Sequence, residues 1–131
     1  MFFGKHLKLA KMIDVFAETW GAAQALDAML ADSGIPEIRS PYYAIMYGAT
    51  DSLAQSIGAD VDTTKRALLL HLKQYSNGAE VFNRIADTIN DQILRPWIIE
   101  AGRAVHALRV HVKDPAQALL PLAERYRLAA A

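Results

Sequence analysis

From Lys5 to Asp32, apolar residues recur every third or fourth position: Leu9, Met12, Ile13, Phe16, Trp20, Ala23 and Leu30. That spacing puts them on one stripe of an α-helix and predicts a first amphipathic helix. Asp32-Ser33-Gly34-Ile35-Pro36 ends it, with Gly34 expected as a left-handed cap and Pro36 just beyond. Ser40-Pro41 opens a second helix, the serine as N-cap and the proline at the first helical position. Its expected buried face is Tyr42, Ile45, Met46, Ala49, Leu53 and Ile57, and Gly58 is its C-terminal cap. Residues 59–64 offer several N-caps for a third helix running to Tyr75, with Leu68, Leu69, Leu72 and Tyr75 turned inward.

The apolar stripe is longest between Asn77 and Lys113. Asn77 and Glu80 have capping-box spacing, and Phe82, Ile85, Ile89 and Ile93 share one face. Arg84 with Asp87, and Asp91 with Arg95, have intrahelical ion-pair spacing. Pro96 interrupts the stretch, and Trp97, Ile98, Ala101, Val105, Leu108 and Val112 resume the stripe. A straight helix over this length would reach roughly 50 Å, long for so small a domain. The prediction is a central helix bent or broken at Pro96, where an interior proline costs about 3 kcal/mol. Asp114-Pro115 then restarts a helix, with Gln117 at the third helical position; Pro121 is expected to kink or split it, while Leu119, Leu122 and Tyr126 pack. The last residues, Leu128 to Ala131, are expected to fray. No run with the two-residue period of a strand occurs. The reading is therefore all-α: an irregular antiparallel helical bundle of four to six helices in one domain spanning residues 1–131.

Composition supports a folded core. Of 131 residues, 53% are hydrophobic and 21% charged, too little charge for a disordered chain. Fourteen basic residues balance fourteen acidic ones, so the total offers no electrostatic footprint for nucleic acid. The absence of cysteine excludes disulfides and thiolate metal sites. No apolar run is long enough to span a membrane, and Asp14 and Glu18 interrupt any secretory signal after Lys5, Lys8 and Lys11. A cytoplasmic location is expected.

The charges are nonetheless segregated. Residues 12–38 hold Asp14, Glu18, Asp27, Asp32 and Glu37 with no lysine or arginine, whereas Arg95, Arg103, Arg109 and Lys113 face only Glu100 across residues 95–113. These blocks can pair within one molecule or between molecules. A second surface signal is the small-residue row Ala17, Gly21, Ala25 and Ala28 on the first helix, which would let another helix approach closely. Gly21 and Gly102 are the glycines expected inside helices for packing. Tyr42, Tyr43 and Tyr47 cannot all face one way, so at least one is expected at the surface.

Catalytic and metal signatures are missing. None of the glutamates has a histidine three residues on, as di-iron bundles require, and His106 and His111 are five apart, off a common helix face. Asp87 and Asp91 share a spacing suited to paired carboxylates, but Arg84 and Arg95 flank them and a solvated ion-pair ladder accounts for them. No P-loop, Gly-x-Gly-x-x-Gly or nucleophile elbow is present. No cofactor and no metal is expected.

Three functions fit these features. The leading one is a non-enzymatic interaction or assembly module, self-associating or binding a protein partner through Ala17, Gly21, Ala25 and Ala28 and through Arg103, His106, Arg109 and Lys113. The second is a small-molecule-binding or catalytic bundle with a pocket beside Pro96, lined by His71, Tyr75, Gln92 and Trp97. The third is a helix-turn-helix DNA-binding regulator, residues 63–75 followed by a helix bearing Glu80, Asn83 and Arg84; the acidic cap and neutral total argue against it. Residues 1–13, with Phe2, Phe3 and Leu7 among Lys5, Lys8 and Lys11, have the amphipathic basic pattern of a membrane-surface segment.

Overall fold

In the computed structural model, which describes residues 4–110 and 113–129, every regular element is a helix. The expectations at Phe2, Phe3, His111, Val112, Ala130 and Ala131 lie outside the described residues. The helices are α1 (Lys5–Leu30), α2 (Ser40–Ser56), α3 (Val61–Leu72), α4 (Gly78–Asp87), α5 (Arg95–Val110) and α6 (Pro115–Leu128). A 3-10 turn, Thr88–Asn90, follows α4 directly. Among the described residues the expected all-α bundle is what forms, with six helices.

Helix α1 is the longest of the six. Its 26 residues run about 39 Å. Leu9, Ile13, Phe16, Trp20 and Ala23 are buried as their spacing predicts, mainly against α6 and α3. Leu30 is exposed, because α1 ends there and no helix continues beside it. Beside this layer α2 packs along α5, the most extensive helix pair, and α4 closes one end over α2 and α3.

The Asn77–Lys113 stretch is broken, and the break precedes the proline. The Thr88 hydroxyl donates to the Ile85 carbonyl at 2.7 Å as α4 tightens into the 3-10 turn. Asp91 then turns extended, and its carboxylate accepts from the Ile93 amide at 2.9 Å. Helix α5 starts at Arg95, so Pro96 occupies its second position, where no intrahelical N–H is needed. Ile89 and Ile93 therefore leave the expected buried face and are exposed, Ile93 at 85%.

Other local expectations change for identifiable reasons. Asn77 makes no side-chain cap; Glu80 instead pairs with Arg84 at 3.4 Å, and Arg84 also lies over the Tyr43 ring. The expected Arg84–Asp87 and Asp91–Arg95 ladder is thus replaced. Asp32, not Gly34, takes the left-handed position after α1 (φ 51°), where the Ser33 amide reaches the Ala28 carbonyl. Gly58 caps α2 at φ 65° as expected. Ser40 is the first residue of α2, not its cap, and Pro41 follows it. Asp60 caps α3, accepting from the Thr63 amide at 2.7 Å. Asp114 caps α6 in the same way. Pro121 lies inside an α6 that runs unbroken around it. Leu69 and Tyr75 are exposed, because α3 buries Ala67, Leu68, His71 and Leu72 instead.

Glycine marks the closest helix approach, at a position other than those expected. A Cβ at Gly48 would fall on the Ile98 carbonyl, 2.9 Å from its carbon and 3.0 Å from Ala101 Cβ. Only glycine allows α2 and α5 to meet this closely. Gly21 and Gly102 face open space instead. Gly78 is crowded in the same way as Gly48 by the Leu72 backbone.

Candidate functional site

The small-residue row does not make a helix contact as a unit. Ala28 is buried and Ala17 half-buried, while Gly21 and Ala25 are exposed. Ala17 and Gly21 border a shallow cleft with Trp20, Tyr42, Tyr75 and Tyr126. Nor do the four residues assigned to a pocket near Pro96 gather around one cavity. His71 and Tyr75 touch edge to face at 5.9 Å. Trp97 packs instead against Tyr126 and under the Arg125 guanidinium. Gln92 is exposed in the link before α5. Gln92 and Trp97 line none of the four main surface cavities.

The acidic block of α1 finds partners outside the 95–113 block. The Asp14 carboxylate meets His71 Nδ1 at 2.5 Å, which seats the imidazole against α1. Asp27, buried, accepts from Arg127 Nε at 2.7 Å. A third link joins the α1–α2 connection to α6. The Arg39 guanidinium donates to the Ala129 carbonyl at 2.7 Å, and the Arg39 amide donates to the Tyr126 hydroxyl at 2.8 Å. That hydroxyl donates in turn to the Glu37 carbonyl at 3.1 Å. Burial pushes the Tyr126 phenol above its ordinary range, while the Arg39 amide partly offsets the rise. The latch holds the connection in place; its Ile35 and Ile38, with Met29 and Leu30 at the end of α1, are 60–70% exposed, beside Asp32 and Glu37. The result is an apolar corner with negative charge.

At the opposite end of α1 the basic residues converge. The first half of α1 and the last half of α5 have little direct contact and leave a groove of about 660 Å³. Leu7, Met12, Val15, Phe16, Leu53, Val105 and Leu108 provide its apolar surface. Lys8, Lys11 and Arg109 border it. Val15 is 61% exposed and Leu7 half exposed. The two basic segments of the sequence thus come together around one apolar groove, with no acidic residue among the described residues of its lining. The other members of the predicted cationic set diverge. Arg103 pairs with Glu100 at 3.1 Å, and His106 and Lys113 are exposed elsewhere on the surface.

Tyr42, Tyr43 and Tyr47 are all half-buried, against the expectation that one would be exposed. Burial pushes the Tyr42 phenol up to about 12, with the neighbouring tyrosines adding to the effect. Among the described residues no helix is long and apolar enough to cross a membrane. No family model matches this chain, and comparison with curated proteins and with solved structures yields no significant match.

Several of these residues carried no signal in the sequence. Asp14 and His71 lie 57 positions apart, and Asp27 and Arg127 lie 100 apart. The groove carried a partial signal, since Lys8, Lys11 and Arg109 stand in basic runs and Leu7, Met12 and Leu108 in apolar ones. Their union needed α1 and α5 to be placed side by side.

Proposed function

We propose that the chain is a non-enzymatic assembly module that associates with itself head to tail. The acidic apolar corner of one copy, Met29 to Ile38, seats in the basic apolar groove between α1 and α5 of the next. The observation that supports this most is the convergence of Lys8, Lys11 and Arg109 on an apolar groove without an acidic neighbour in its lining. Like charges around an apolar surface are unfavourable until an opposite charge arrives with something apolar to bury. The corner has both, and the latch through Arg39 and Tyr126 pre-orders it, which lowers the entropy lost on docking.

The two surfaces differ, so the contact is heterologous and extends into a ring or a filament. Sedimentation at rising protein concentration tests this. Wild-type chain is expected to form species larger than a dimer, fewer as salt screens the charges. Lys8→Glu with Lys11→Glu blocks the groove, and Ile35→Asp with Ile38→Asp blocks the corner. Each double variant alone is expected to stay monomeric, and an equimolar mixture is expected to stop at a dimer. Monomer for wild type at every concentration and salt refutes the reading. So does a mixture that fails to associate.

A further inference from the structure

A second cavity, whose lining shares no residue with that groove, lies between α2, α3 and α4. It encloses about 320 Å³. Leu68, Phe82, Ile85 and Ile89 line it from α3, α4 and the 3-10 turn, and Thr50 and Tyr47 line it from α2. Ile89 is half exposed here because the 3-10 turn carries it off the helical stripe and onto the cleft.

Thr50 is the unusual member. A threonine inside a helix ordinarily turns its hydroxyl to the carbonyl four residues back. Thr19 does so with Val15 at 2.8 Å, and Thr64 with Asp60 at 2.7 Å. The Thr50 hydroxyl does not. Its residue is 4% exposed, the oxygen is sealed from solvent, and it has no hydrogen-bond partner. A buried hydroxyl left in this state costs roughly 1–3 kcal/mol. Tyr47 stands three residues earlier, on the same face of α2.

The other polar neighbours are already engaged or carry the wrong charge for an anion. Thr64 bonds Asp60, Asp60 caps α3, and Gln55 holds Asp51 at 2.9 Å. Two carboxylates, Asp51 and Asp60, border the cleft against one cation, Lys65.

We infer that the α2–α3–α4 cleft binds a small neutral ligand, an apolar ring system with one hydrogen-bonding group directed to the Thr50 hydroxyl. The apolar walls take the ring system, and the Thr50 hydroxyl, sealed in the free protein, takes the polar group by turning about χ1 toward the cleft that Thr50 lines. The carboxylates discriminate against anions. This site is independent of the assembly surfaces and stands or falls without them.

The test uses N-phenyl-1-naphthylamine, a neutral probe whose single N–H can donate to Thr50 and whose fluorescence rises when it leaves water. Its sulfonated analogue, 1-anilinonaphthalene-8-sulfonate, carries the same rings with a negative charge. The neutral probe is expected to saturate at one per chain. Thr50→Val keeps the side-chain shape and removes the hydroxyl, so it is expected to weaken the probe roughly three- to tenfold while leaving the free protein at least as stable to urea. Ala86→Trp, an exposed position at the cleft on α4, is expected to abolish binding without disturbing the core. Lys8→Glu with Arg109→Glu is expected to leave the neutral probe unchanged. No saturable binding overturns the inference. Binding that ignores Ala86→Trp places the probe outside the cleft, and binding that falls only with the Lys8 and Arg109 changes places it in the groove; either result overturns the inference as well.

Discussion

The packing of α2 on α5 makes a sharp prediction at Gly48. Gly48 and Gly21 both sit inside helices, with opposite surroundings. At Gly48 an added Cβ meets the Ile98 carbonyl backbone; at Gly21 it meets nothing within 4 Å. Intrinsic helix propensity treats both alike, favouring alanine by about 1 kcal/mol. At Gly21 that gain stands alone, so Gly21→Ala is expected to stabilise by about 1 kcal/mol. At Gly48 the methyl group cannot be accommodated by a rotamer change, because the obstacle is main chain. The two helices must separate along their largest interface. Overpacking of this kind costs about 1–3 kcal/mol, and a backbone obstacle puts Gly48→Ala at the upper end, for a net loss of about 2 kcal/mol after the propensity gain. The two variants should therefore differ by about 3 kcal/mol. Urea unfolding followed by circular dichroism reads this directly. With a slope near 1.5–2 kcal/mol per molar for a small domain, the midpoints should lie roughly 1.5–2 M apart, on either side of wild type. A Gly48→Ala midpoint at or above wild type would show that α2 and α5 do not meet backbone to backbone, and the reasoning would fail.

Other expectations follow from single contacts. Asp27→Asn removes the charge partner of Arg127 in a largely buried pair and is expected to cost about 3 kcal/mol in the same assay. Pro121→Ala restores a helical amide in mid-α6 and should stabilise by about 1–2 kcal/mol, whereas Pro96→Ala, in the first turn of α5, should change stability by less than about 1 kcal/mol. Stability should also fall at high pH. Tyr42 ionises near pH 10 in the unfolded chain and at about 12 in the fold, so its contribution is whole below pH 10 and lost as pH rises toward 12. Tyr42→Phe should flatten that decline in alkaline urea titrations; an unchanged slope would contradict the assigned burial.

Helix content was legible along the chain because burial on one face leaves a three-to-four-residue period that each segment carries by itself. The stripes of α1, α2 and α6 needed no partner to be read, and the Asp114 cap and Gly58 turn were equally local. Where the period misled, a competing local contact decided. Ile89 and Ile93 continue the stripe of α4, yet the Thr88 hydroxyl and the Asp91 carboxylate draw the backbone out of the helix before Pro96 is reached. Gly48 could have been suspected, since a mid-helix glycine beside Ala49 on the buried face has a packing purpose more often than not.

The surfaces were another matter. A groove, a cleft or an ion pair depends on which helices lie side by side and at what rotation, and periodicity contains neither. Lys8 and Arg109 are about a hundred residues apart in the chain and border one groove. The Thr50 hydroxyl is sealed from water and left unpartnered only once α2 is packed among its neighbours. Apolar spacing told each segment to become a helix and which side to hide. Side-chain volume at the crossings, with the missing methyl of Gly48 among it, decided how those helices were laid together, and with that which charges and hydroxyls were left without a partner in the chain.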